Sequence, residues 1–121
     1  MLAYLQDEEG AAAVKTALHS PGEGVFMNEI NVGEVYYQLS RRQGSHKAEH
    51  FLNAILAQLR IKTVANDLEA VIRAAKIKAR HSLSYADCFA VATAQKENAV
   101  LFTGDREFKA VESLVEIHWL S

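Results

Sequence analysis

The sequence predicts an α/β fold, on three observations. Short apolar runs suited to strands recur at Val25-Phe26-Met27, Ile61 to Val64, Ala99 to Thr103 and Val115 to Trp119. Helical stretches separate them, at roughly residues 10 to 19, 29 to 42, 45 to 59, 67 to 80 and 84 to 97. Alternation of this kind predicts a small parallel sheet with helices on both faces.

The chain opens in what reads as a helix, with Leu2 and Leu5 three residues apart, where an α/β sheet usually opens with a strand. Ser20-Pro21-Gly22-Glu23-Gly24 is a loop between elements. The clearest helix is the one from about Ser45 to Leu59, because Ala48, Phe51, Leu52, Ile55, Leu56 and Leu59 recur three and four residues apart. Asn66-Asp67-Leu68-Glu69 resembles a capping box and opens the next helix toward Arg80. Ala99 to Thr103 is a continuous apolar run stopped by Gly104, as in a strand buried on both faces, and Val115 to Trp119 alternates weakly. Neither an internal repeat nor a linker interrupts the 121 residues, so residues 1–121 are expected to form one domain.

Composition narrows the functions on offer. Half the residues are apolar, 23% are charged, and the formal net charge of −2 supplies no global positive field to draw the protein onto nucleic acid or anionic lipid. Any nucleic-acid contact must therefore come from a local patch. Cys88 is the single cysteine, so no intramolecular disulfide forms, and one thiol in an apolar run fits a reduced, cytoplasmic setting. No apolar run approaches the length of a membrane helix, and Met1 to Asp7 lacks the basic and apolar regions of a signal peptide.

Most acids lie among polar neighbours, as do Asp7, Glu8, Glu9, Glu23, Glu97 and Glu107, and read as solvated surface. Three do not. Glu34 interrupts Ile30 to Tyr37, and Asp87 interrupts Tyr85 to Ala92, a helix apolar on nearly every side. A buried ionised carboxylate costs several kcal/mol unless it is paired, hydrogen-bonded or bound to metal. Asp105 follows Thr103-Gly104 directly after an apolar strand, at the carboxyl edge of the sheet, where open α/β folds bind ligands. Taken singly each has a structural reading: Asn31 to Glu34 and Ser84 to Asp87 both fit capping boxes, and Asp105 fits a cap for the segment after its strand. Taken together, three carboxylates converging on one edge repel one another and call for a cation. Oxygen ligands favour Mg²⁺ or Mn²⁺, and the natural chemistry is phosphodiester hydrolysis.

At these residues the sequence resembles the PIN-domain family, specifically VapC-like toxin ribonucleases of toxin–antitoxin pairs. The resemblance rests on Met27 to Tyr37, Leu83 to Ala94 and Leu101 to Phe108, and covers nearly the whole chain. It implies a three-layer fold, a Mg²⁺ or Mn²⁺ site built by Glu34, Asp87 and Asp105, and endonucleolytic cleavage of single-stranded or looped RNA. It further implies a homodimer and an antitoxin partner. Thr103 matches a position that supports the site, so it is expected to hydrogen-bond a carboxylate, and Ser84 is assigned the same supporting shell. The family pattern has a further Asp at the end of a first strand. Here Met1 to Leu5 matches the helix start that follows that strand, so the strand and its Asp are expected to be missing, and the site to be short of one carboxylate and impaired. That departure keeps a rival class open, a non-catalytic RNA-binding or partner-binding module.

Three other features stand outside these motifs. His46-Lys47-Ala48-Glu49-His50 fits the H-x-x-E-H pattern of some zinc peptidases, but helical spacing turns both histidines away from the apolar face, into water. Arg73, Lys76, Lys78 and Arg80 form a basic run that either steers RNA phosphates or complements a helix C-terminus. Tyr36 and Tyr37 suit base stacking or packing.

Overall fold

The structure is a computed structural model, and it describes residues 25–57 and 61–119. The helix expected at 10 to 19, the opening helix, the 20–24 loop and the acids before residue 25 lie outside the described residues. The described elements run β1 (Val25–Asn28), α1 (Glu29–Gln43), α2 (Ser45–Ala57), β2 (Ile61–Val64), α3 (Leu68–Arg80), α4 (Tyr85–Lys96), β3 (Leu101–Thr103), a 3₁₀ turn (Arg106–Val111) and β4 (Ile117–Trp119).

Among the described residues all strand pairing is parallel, as the alternation predicts. β1 pairs with β2 in the register Val25 with Ile61, and β3 pairs with β4 in the register Leu101 with Ile117. Among the described residues these are two separate two-stranded ladders rather than one continuous sheet. What joins them is α4, which packs on β1 and on β3 as well as on α1 and α3. That position explains its sequence: eight consecutive residues, Asp87 to Ala94, are buried, because the helix meets neighbours on every side. Val35, Phe51, Ile55, Ala74, Ile77, Leu101, Phe108 and Val111 complete the same core.

Local chemistry sets the element ends. α3 opens where the capping reading expects, but the cap is Asp67, its carboxylate accepting from the Ala70 N–H at 2.9 Å, while Asn66, the first residue of the expected box, bonds Asn28 instead. Gly44 (φ 91°) ends α1 in a conformation only glycine adopts freely, and α2 starts at once, making a helical hairpin. The strand expected from Ala99 begins at Leu101 instead. Asn98 takes a left-handed conformation (φ 50°), and the Ala99 N–H returns to the Ala94 carbonyl at 2.8 Å, so the C-terminal cap of α4 consumes the first residues of the apolar run. Of the stripe on α2, Ala48, Phe51 and Ile55 are buried, while Leu56 is exposed.

Candidate metal centre

Three elements deliver acids to one place. Asp87 sits in the first turn of α4, where the Ser84 hydroxyl caps the helix by accepting from the Asp87 N–H at 3.2 Å. Asp105 leaves the carboxyl end of β3, with its own N–H bonded to Thr103 Oγ1 at 3.0 Å. Its carboxylate then accepts from the Glu107 N–H at 2.9 Å and starts the 3₁₀ turn, which buried Phe108 and Val111 anchor in the core. That curl carries Glu107 back beside Asp105. One carboxylate oxygen from each of Asp87, Asp105 and Glu107 lies within 4.8 Å of the other two.

The electrostatics match this geometry. The Asp87 carboxyl is pushed up to about 6, first by burial and then by the negative charges of Glu34, Asp105 and Glu107, against a lowering hydrogen bond from Ser84. Glu34 is half-buried on α1, and burial raises its carboxyl as well. Among the described residues the only ion pair between a basic and an acidic side chain is Arg73 with Glu69, at 3.6 Å on α3, so no described basic side chain pairs with the cluster. Carboxylate oxygens gathered without a counter-charge are the donor set a hard divalent cation requires. Replacing Ser84 by Ala should raise the Asp87 carboxyl further and cost about 1 kcal/mol for the lost cap, read by NMR titration and urea melts. An unmoved titration would show that the hydroxyl does not support the carboxylate.

Set against the sequence reading, Asp87 and Asp105 come together, Glu34 faces Asp87 from outside the tight group, and Glu107, read as solvated surface, joins it. Glu34 does not belong to a capping box. Asn28 caps α1 through the Ile30 N–H, while Asn31 lies inside the helix and is buried. Thr103 supports the main chain of Asp105 rather than a carboxylate. Within the basic run, Lys78 is committed to the Leu83 carbonyl at 2.8 Å, and Lys78 and Arg80 occupy the last turn of α3, where cations complement the helix dipole. Arg73, Lys76 and Arg80 remain exposed. His46 and His50 are exposed, and Glu49 accepts from the Tyr36 hydroxyl, so that motif is spent on surface contacts. Tyr37 lies under Arg41, whose guanidinium carbon is 5.9 Å from the ring centre.

Parallel strand pairs, the helices packed on them and a carboxylate cluster define a class, α/β folds with an acidic patch. Within that class the PIN domain profile matches residues 1–114, and the chain belongs to the PIN domain family. Solved structures agree in fold. VapBC from Rickettsia felis bound to a promoter DNA fragment superposes with a TM-score of 0.73 at 13% identity, covering 99% of this chain and 93% of that one. DNA-bound VapBC from Salmonella typhimurium gives 0.70 at 15%, with 96% and 87% covered. Mycobacterium tuberculosis VapC20, a toxin that cleaves the sarcin–ricin loop, gives 0.65 at 19%, with 81% and 78% covered. No curated protein matches the sequence significantly. No helix of the described residues is long and apolar enough to cross a membrane.

Proposed function

We propose that this chain is a metal-dependent endoribonuclease of the toxin type, acting on single-stranded or looped RNA, held in check by an antitoxin and working as a homodimer in the cytoplasm. The observation that carries the reading is the meeting of Asp87, Asp105 and Glu107, which among the described residues form no ion pair with a basic side chain. Family membership and the VapBC neighbours, which are toxin–antitoxin complexes, support it.

Asp87, Asp105 and Glu107 would hold the ion, and the expected ligand Glu34 would complete the set from the Asp87 side. A bound Mg²⁺ or Mn²⁺ supplies Lewis-acid stabilisation of phosphate charge and a more acidic water. The chain's own part is positioning and proton handling. Burial of Asp87 raises its carboxyl, the 3₁₀ turn sets the spacing of Asp105 and Glu107, and burial of Glu34 raises its carboxyl as well, which favours its holding a proton. Exposed Arg73, Lys76 and Arg80 are available to the RNA backbone. The test is cleavage of a labelled single-stranded RNA in Mn²⁺ or Mg²⁺, with chelator and with Asp105→Asn as controls. Metal-dependent cleavage that the substitution removes supports the reading, and cleavage indifferent to both overturns it.

A further inference from the structure

The first turn of a helix is its least constrained part, since its N–H groups lack partners within the helix. Asp87 lies in such a turn, and although the Ser84 hydroxyl takes its N–H, that cap belongs to the adjoining chain and does not tie the turn to the helix that carries Glu34. Asn31 makes that tie. It is buried at 2% exposure in the first turn of α1, directly after β1, and its Nδ2 donates to the Ala86 carbonyl at 2.8 Å. Ala86 immediately precedes Asp87, and Asn31 precedes Glu34 by three residues, on the same face of α1. A single amide therefore joins the backbone beside one acid to the helix face that carries another.

A second polar contact fixes the same two helices at a distance from the acids. Asn28 and Asn66 exchange amide bonds at 2.8 and 2.9 Å, Asn28 Nδ2 also donates to Thr93 Oγ1 at 3.0 Å, and its Oδ1 caps α1. All four hydrogen-bonding positions of that amide are filled. Asn28 with Thr93 thus pins the start of α1 to the middle of α4, and Asn31 sets the rotation of the α4 first turn against it. The Asn31 bond adds a tie at the end of α4 that bears Asp87.

We infer that Asn31 is a positioning residue, holding Asp87 and Glu34 in register for the cation through its bond to the Ala86 carbonyl. The inference rests on the metal reading proposed above. Its test measures Mn²⁺ binding, by the electron paramagnetic resonance signal of free Mn²⁺, on the full chain and on Asn31→Leu, Asn31→Ala and Asn66→Ala, at a temperature where circular dichroism shows each folded. Either Asn31 variant is expected to weaken binding at least about tenfold, the scale of a lost supporting contact to a metal ligand. Asn66→Ala, which loosens the same network away from the acids, is expected to stay within about twofold. Binding unchanged in the Asn31 variants overturns the inference and leaves the metal reading standing. An equal loss in Asn66→Ala overturns it too, since the effect is then general loosening, as does failure of both Asn31 variants to fold while Asn66→Ala folds. A parent chain that binds no Mn²⁺ overturns the metal reading and the inference with it.

Discussion

Asp87→Asn is expected to stabilise the metal-free protein at neutral pH while abolishing its response to Mn²⁺. The folded-state value of about 6 lies above the ordinary 3.8, so the folded protein holds this proton more tightly than the unfolded chain does. Ionisation of Asp87 therefore costs stability. The cost is absent below about pH 4, grows between about 4 and 6, and is complete above about 6. The full shift converts to about 3 kcal/mol, and discounting for the solvent that reaches the cluster leaves about 1 to 2. Against this, a carboxylate in the first turn of α4 gains about 0.3 to 1 kcal/mol from the helix dipole, which Asn forfeits. Burial and repulsion win, and the net gain on substitution is about 1 kcal/mol at pH 7, vanishing by about pH 4. Urea melts of both proteins at the two pH values check it. Curves that run parallel, or a loss of about 1 kcal/mol at pH 7, would make Asp87 a capping residue and nothing more.

The larger effect belongs to Asp105→Asn. Asn keeps an oxygen that accepts from the Glu107 N–H, so the 3₁₀ turn and its anchors Phe108 and Val111 should survive while a ligand charge disappears. Binding to the folded state alone raises stability by about 2.7 kcal/mol at a hundredfold excess of ion over Kd. Millimolar Mn²⁺ should accordingly raise the Tm of the parent chain, and this variant should show no rise. RNA cleavage should fall at least about a hundredfold, because positioning and charge neutralisation fail together. An Asp105→Asn chain that keeps both its Mn²⁺ response and its cleavage rate would remove Asp105 from the site.

The parts of this molecule that were legible in the sequence are those whose burial leaves a pattern. α4 is apolar on every side, so the one carboxylate in its first turn stands out, and the glycine stop after Leu101-Phe102-Thr103 marks where Asp105 must emerge. Glu107 left no such mark. It is exposed, its neighbours Arg106 and Lys109 are polar, and only the Asp105 bond to its N–H turns it toward the cluster. The amides of Asn28, Asn31 and Asn66 were hidden for a different reason. A buried Asn is identified by its partners, and these come from residues 38 to 65 positions away. The apolar run from Ala99 is longer than the strand it forms, because a helix cap claims its first residues and leaves no mark on the apolar pattern.

The central claim, that acids from α4 and from the end of β3 gather to hold one cation, is tested most directly by diffraction from crystals soaked in Mn²⁺, using the anomalous signal of the ion. A peak is expected within about 2.0 to 2.4 Å of carboxylate oxygens of Asp87 and Asp105, with Glu107 in the same shell, and no peak at that place in Asp105→Asn. Soaked crystals with no peak there, or with manganese bound only at other acids, would contradict it.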